Sequence, residues 1–231
     1  MGIRYEKGVI FPIGMGCQAA HQLEKIKARI DRLMGEVGTV ESTPFDWLIL
    51  PPHAAASMLT SNEFFPKTAD ELEYIGKERR FYWPQHDMWF WHMIGGLEAF
   101  EEHKSKFAYM QRRLESYRDL EVLAIWANSQ ANLSEVPLGH PLDLTARGSV
   151  LHALQSALDR YFAKSSLFTV VRADRLSAED PLPEASFSIY TGEDTPKNWH
   201  GSSPAWKLAM AEALEKTGFA ARVGSPEKAR R

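Results

Sequence analysis

The chain contains a single cysteine, Cys17, at a position where a thiol could act as a nucleophile. It follows a short apolar run, residues 9–13, and the turn Gly14-Met15-Gly16, and it begins a segment with apolar residues at helical spacing. The N-terminus of a helix offers unpartnered N–H groups and the positive end of the helix dipole, which favour a thiolate. The N–H groups at this turn, from Gly16 and Gln18, could hold an oxyanion. The alternative is a buried, unreactive cysteine that packs as a small hydrophobe.

A nucleophilic cysteine needs a base and a group that orients the base. His92 is the preferred base, because it ends the aromatic run of residues 88–91 in the manner of a strand histidine that points across a cleft. Asn128 is the preferred orienting group, because it directly follows the apolar run 120–127. The alternatives are His86 and His21 for the base, and Asp46 and Asp87 for the orienting group. For Asp46 we favour a structural role beside the site, since Asp after Pro-Phe often closes a turn.

Aromatic residues are concentrated between residues 81 and 92. This segment predicts two strands, 79–84 and 88–93, joined by a turn over 85–87. Three tryptophans in and beside these strands would offer an apolar or sugar-stacking wall to a substrate, namely Trp83, Trp89 and Trp91.

The elements that must position these residues alternate between helix and strand. Apolar periodicity predicts helices, and short apolar runs predict strands, the run 120–127 being typical of a strand buried on both faces. We expect helices over 17–33, 97–117, 149–162 and 204–216, and further strands over 167–171 and 187–190. The pattern predicts an α/β (α+β) fold with a central sheet flanked by helices. We expect one domain over residues 1–220 and a disordered basic tail over 221–231.

Composition excludes several classes of function. The chain has 231 residues and a formal charge of −3, so nothing favours nucleic acid as a partner. It has no apolar run long enough for a membrane span, and its charged first residues lead us to expect no signal peptide. One cysteine leads us to expect the reducing cytoplasm. The Gly14-Met15-Gly16 turn lacks the third glycine of a dinucleotide fingerprint, and no histidine or cysteine has ligand spacing. We therefore expect no cofactor and no metal.

Two motifs carry a resemblance to a known family. Residues 11–20 (FPIGMGCQAA) and 43–48 (TPFDWL) resemble a bacterial family of papain-like cysteine peptidases, and the resemblance spans roughly residues 8–130. It implies a papain-like arrangement with Cys17 as the nucleophile and a downstream strand histidine as the base. The family's His-Asp pair occurs at His86-Asp87, whereas the aromatic strand ends at His92, so the resemblance leaves both histidines open.

The expected function is acyl transfer on a peptide or a small acyl substrate. The Cys17 thiolate would attack an amide or thioester carbonyl, and the thioacyl-enzyme would be released to water by a hydrolase or to an amine by an acyltransferase. The alternative is a non-catalytic binding or interaction module with Cys17 buried and the aromatic strip forming a groove.

Overall fold

The structure, a computed structural model, describes residues 1–46, 48–75, 80–135, 139–193, 195, 197 and 199–224. The strands within these ranges are β1 Gly2–Arg4, β2 Gly8–Pro12, β3 Thr39–Glu41, β4 Leu48–Ile49, β5 Glu73–Ile75, β6 Arg80–Trp83, β7 Met88–Phe90, β8 Glu121–Ala127, β9 Lys164–Val171 and β10 Phe187–Ile189. The helices are α1 Gln18–Lys25, α2 Lys27–Met34, α3 Pro52–Ser61, α4 Phe100–Glu115, α5 Gly148–Tyr161, α6 Ser203–Lys216 and α7 Phe219–Val223. Short 3-10 turns connect several of them.

The strands form two sheets. The larger sheet has the order β10-β9-β8-β2-β1-β3, in which β10, β9, β8 and β2 are parallel and β1 is antiparallel to both of its neighbours. The smaller sheet, β4-β7-β6-β5, is antiparallel throughout. The sequence predicted a single central sheet and missed β1, β3, β4 and β5, because strands of two or three residues carry almost no periodic signal.

Helices cover both faces of the larger sheet, so β8 is buried on both sides, as its apolar run predicts. One face packs α1, α2, α6 and α7 against alternate β8 residues such as Leu123 and Ile125. The other face packs α3, α4, α5 and the smaller sheet around Val122 and Trp126. The chain is therefore one mixed α/β domain.

The parallel strands create an edge that can carry a site. After β2 the chain enters α1 on one face of the larger sheet, and after β8 it enters α5 on the opposite face. The connections after these two neighbouring strands therefore diverge at their carboxyl ends, which is where open α/β sheets bind ligands. The β2–α1 turn with Cys17 and the β8 extension with Asn128 both lie at this edge.

Two predicted boundaries need correction. The helix expected over 17–33 is broken at Ile26 into α1 and α2, and α2 ends at Gly35, which has a left-handed conformation. Residues 221–223, expected in the tail, belong to α7, whose Phe219 and Val223 are buried against β2. The rest of that predicted tail, 225–231, lies outside the described residues, as does Arg79 of the predicted first aromatic strand.

Within the described residues, no helix combines the length and the apolar character that crossing a bilayer requires.

Candidate functional site

Cys17 caps the N-terminus of α1, at the carboxyl end of β2. The residue is only 5 % exposed, and the pKa of its thiol is raised to about 12, chiefly by burial. The nearby Asp46 carboxylate contributes to this rise, and the N-terminal ammonium of Met1 opposes it. Cys17 is therefore a neutral thiol at neutral pH, and the expected ionisation at the helix N-terminus is corrected, because loss of hydration outweighs the helix dipole. Among the described residues, no imidazole hydrogen-bonds to its sulfur.

The two N–H groups predicted to hold an oxyanion are engaged inside the protein. The Gly16 N–H donates to the Leu48 carbonyl at 3.1 Å, and the Gln18 N–H donates to Gln130 Oε1 at 3.1 Å. Gly16 has φ +84°, a conformation that glycine adopts without strain. The turn is thus built to anchor α1 to the neighbouring elements, and an oxyanion would have to displace these acceptors.

Asp46 closes the turn that precedes β4. Its carboxylate accepts hydrogen bonds from Thr43 N at 3.0 Å and from Thr43 Oγ1 at 2.9 Å. It also pairs with the Met1 ammonium at 2.5 Å. These contacts support the structural role predicted for Asp46, while Trp47 of the same motif lies outside the described residues.

A cavity of about 500 Å³ opens between α4 and the segment that starts at β7. Its lining is mostly aromatic, aliphatic and methionine side chains. The described residues that line it are Ser42, Asp46, Leu48, Phe90, Trp91, His92, Met93, Ile94, His103, Lys106, Phe107, Met110 and Trp199. Two predicted site residues, Asp46 and His92, therefore share one cavity. Cys17 is not among the described residues that line it, but it lies close enough to Asp46 for the carboxylate charge to raise the pKa of its thiol.

His92 lies at the wall of this cavity, directly after β7 and the adjoining Trp91. Burial and the nearby Arg80 guanidinium lower the pKa of its imidazole. The same guanidinium lies 3.8 Å from the centre of the Trp91 ring. A lowered pKa keeps the imidazole neutral at neutral pH, as a general base requires.

Two of the three predicted wall tryptophans are in the core instead. Trp83 is 1 % exposed and Trp89 is 0 % exposed, so neither offers a surface to a substrate. The sequence could not separate a core hairpin from a pocket wall, because both require aromatic strands. Trp91 lines the cavity, and Trp199, which the sequence analysis did not single out, joins it.

The alternative His86-Asp87 pair belongs to a different contact network. His86 is buried, its Nδ1 lies 2.8 Å from Ser57 Oγ, and burial lowers the pKa of its imidazole. Asp87 accepts a hydrogen bond from Tyr82 Oη at 2.7 Å and lies 2.8 Å from His53 Nε2. These contacts join the β6–β7 turn to α3, and neither residue lines the cavity among its described residues.

Asn128 does not orient a histidine. Its side chain donates to the Leu144 carbonyl at 2.8 Å and accepts from the Arg172 N–H at 3.2 Å. The buried amide thus ties the loops after β8 and β9 together, since a polar group at 0 % exposure must find partners within the protein. His21, the remaining candidate base, contacts the rings of His200 and Trp199 in tilted arrangements near the start of α1.

Sequence reasoning missed the contribution of α4 to the site. Lys106, His103, Phe107 and Met110 line the cavity from this helix. Apolar periodicity marks Phe107 and Met110 as part of one side of α4, and the charged Lys106 adjoins that side four residues before Met110. The available signal was this boundary, where a charged side chain adjoins apolar ones.

The described residues contain no group of three or more histidine, cysteine or acidic side chains arranged to hold a metal ion. No protein-family model, no curated protein and no solved structure matches the chain. The resemblance to papain-like cysteine peptidases therefore stays a prediction.

Proposed function

We propose that this protein binds a small molecule with a large apolar body in the cavity between α4 and the β7 segment. The observation that carries the proposal is the cavity itself, about 500 Å³ and lined mainly by apolar side chains. Small-molecule sites in proteins are concave, mostly apolar and of this size, with a few polar groups that fix orientation. This is the binding function that the sequence left as the alternative, with the groove formed by α4 as well as by the aromatic strand.

The lining suits a flexible or flat apolar ligand. Met93 and Met110 are unbranched side chains that adjust to ligands of different shape. Trp91 and Trp199 add aromatic surface, on which rings and alkyl chains pack well. Burial of apolar ligand surface against these side chains would provide most of the binding free energy.

A fluorescence titration with N-phenyl-1-naphthylamine, a neutral apolar probe, tests this function. We expect saturable enhancement of the probe fluorescence at one site per chain. Ile94 lines the cavity and is 73 % exposed, so Ile94→Trp should obstruct the opening without disturbing the core. We expect this variant to bind at least about tenfold more weakly.

The matched control is Leu208→Trp, the same kind of change at a residue of α6 that is 63 % exposed and belongs to the other face of the sheet. This control should bind the probe as the wild type does. Non-saturable binding, or equal binding by both variants, would exclude the cavity as a binding site.

A second candidate function is acyl transfer by Cys17 in a papain-like arrangement. It is favoured by one observation: the Asp46 carboxylate that acts on Cys17 also lines the cavity that contains His92. In this reaction the sulfur would form a bond to the substrate carbonyl carbon and the amide or thioester bond would break. The thiol proton would pass to His92 and then to the leaving group, and water would hydrolyse the thioester and restore the thiol.

Acylation by p-nitrophenyl decanoate tests this second function, because Cys17 is the only thiol in the chain. If Cys17 accepts the acyl group, the folded wild-type protein gains the mass of one acyl group. This gain in mass should be absent from Cys17→Ser and slower in His92→Ala. Probe binding with neither acylation of Cys17 nor Cys17-dependent release of p-nitrophenol would reject acyl transfer and leave the binding function.

A further inference from the structure

Lys106 is an uncompensated positive charge beside an apolar cavity. It lies on α4 and lines the cavity together with Phe107 and Met110 of the same helix. Several other lysines of the described chain pair with a carboxylate, as Lys27 does with Asp31 and Lys216 with Glu212. Lys106 forms no ion pair with any described residue.

The one acidic side chain among the described lining residues does not neutralise this charge. Asp46 is paired with the Met1 ammonium and accepts two hydrogen bonds from Thr43, so its charge is already compensated. The cavity therefore combines a mostly apolar lining with one ammonium group, that of Lys106, at its border.

We propose that the ligand is an amphipathic monocarboxylate whose head group binds Lys106 while its apolar body fills the cavity. This inference rests on the binding function proposed above and names the ligand class. Lys106 and Met110 are four residues apart on α4 and so lie on the same side of the helix. One ammonium matches one carboxylate, and the adjoining Phe107 and Met110 accept the first part of the chain.

His103 adds a polar group one turn before Phe107. Its Nε2 lies 2.8 Å from the Ile94 carbonyl, which holds the imidazole against the cavity border. This contact ties α4 to the segment after β7, so Lys106 projects from a helix whose position relative to the opposite wall is defined. A defined position reduces the ordering cost of binding a charged head group.

Displacement of N-phenyl-1-naphthylamine at neutral pH compares decanoate with 1-decanol, which has the same chain and no charge. We expect decanoate to bind more tightly than decanol in the wild type. Lys106→Met, which keeps the length of the side chain, should weaken decanoate by about tenfold and leave decanol unchanged, since a hydrogen bond to a charged group is lost. Added salt should weaken decanoate binding in the wild type and not in this variant.

Lys104→Met is the matched control, because Lys104 lies on the same helix, is not among the described lining residues, and donates to the Lys67 carbonyl. It should bind decanoate like the wild type. Equal affinity for decanoate and decanol, or decanoate binding that survives Lys106→Met, would overturn the carboxylate assignment while the probe still binds. Absence of binding by the probe and by both ligands would overturn the binding function itself.

Discussion

At the residue scale, Cys17 shows how two local effects on one thiol compete. The N-terminus of α1 favours a negative charge, but removal of the sulfur from water disfavours it, and the neighbouring Asp46 carboxylate acts in the same direction as burial. Dipole effects at helix ends amount to about 0.3–1 kcal/mol, whereas full burial shifts a pKa by up to about 3–5 units. The pKa of this thiol is raised because the effect of burial is larger than the effect of the helix dipole.

Replacement of Asp46 tests this balance. In Asp46→Asn the negative charge that raises the pKa of Cys17 is gone, and the Met1 ammonium keeps lowering that pKa. We therefore expect the pH profile of Cys17 alkylation by iodoacetamide to move to lower pH, measured as the intact mass of the native protein over time. Asp119→Asn, an exposed change in the turn after α4, should leave the profile unchanged. An identical profile in Asp46→Asn would show that the carboxylate does not act on the thiol.

A second prediction at this scale concerns His86. Burial lowers the pKa of its imidazole below the ordinary 6.5, so below that pH the unfolded chain takes up the proton more readily than the folded one. The stability contributed by neutral His86 is present above pH 6.5 and is lost as the pH falls below it. We expect urea unfolding of His86→Gln to depend less on pH in this range than that of the wild type. His152→Gln, at an exposed position on α5, should keep the wild-type pH dependence, and a parallel shift of both variants would contradict the prediction.

At the scale of elements, the β2–α1 turn depends on close packing against β8. A Cβ on Gly14 would lie 2.0 Å from Trp126 Cδ1, and Trp126 is fully buried. We expect Gly14→Ala to lower the free energy of unfolding by about 1–3 kcal/mol, the usual cost of overpacking a core. Urea unfolding of Gly14→Ala, Trp126→Phe and the double variant measures the coupling between the two sites.

The double variant should be more stable than the sum of the single effects, because the smaller ring leaves room for the added methyl group. Trp126 Nε1 has no hydrogen-bond partner within the described chain, so Trp126→Phe removes ring volume without removing such a bond. Strict additivity would show that the two side chains do not compete for the same space.

The short helix α7 provides a further prediction for an element. Phe219 is fully buried against β2, and a Cβ on Gly8 would lie 2.9 Å from its ring. We expect Phe219→Ala to lower the unfolding free energy by about 3–5 kcal/mol. Leu208→Ala, at the exposed face of α6, should change it by less than about 0.5 kcal/mol. A small effect of Phe219→Ala would place α7 outside the folded domain.

At the scale of the whole molecule, one hydrophobic cluster joins the two sheets. It contains Trp89 and Phe90 of the smaller sheet together with Phe11 and Trp126 of the larger one. The smaller sheet has no separate core in the described chain, so it should not unfold independently. We expect tryptophan fluorescence and far-UV circular dichroism to report the same urea midpoint. Two separate midpoints would show that the sheets are independent folding units.

The sequence predicted most elements because their signals are local. The helices α4, α5 and α6 and the strand β8 lie within a few residues of their expected bounds, since an apolar stripe or an uninterrupted apolar run is visible in a single segment. The break at Ile26 was missed because the stripe of apolar residues continues through it.

The site was predictable in part. Cys17 does begin a helix after a glycine turn, and His92 does face a cavity that Asp46 also lines. Three features could not be predicted from the sequence: the burial of the thiol, the core position of Trp83 and Trp89, and the hydrogen bonds of Asn128. Each of them depends on residues distant along the chain.

Residue types and their periods by themselves determined the α/β class, the β2–turn–α1 unit and the aromatic hairpin, because backbone preference and amphipathicity act over one or two turns of chain. Only the tertiary structure decided which faces meet, and hence that α4 and the segment after β7 enclose a cavity while the thiol beside it is withdrawn from water. Those outcomes depend on long-range packing, in which a side chain's surroundings are supplied by other elements.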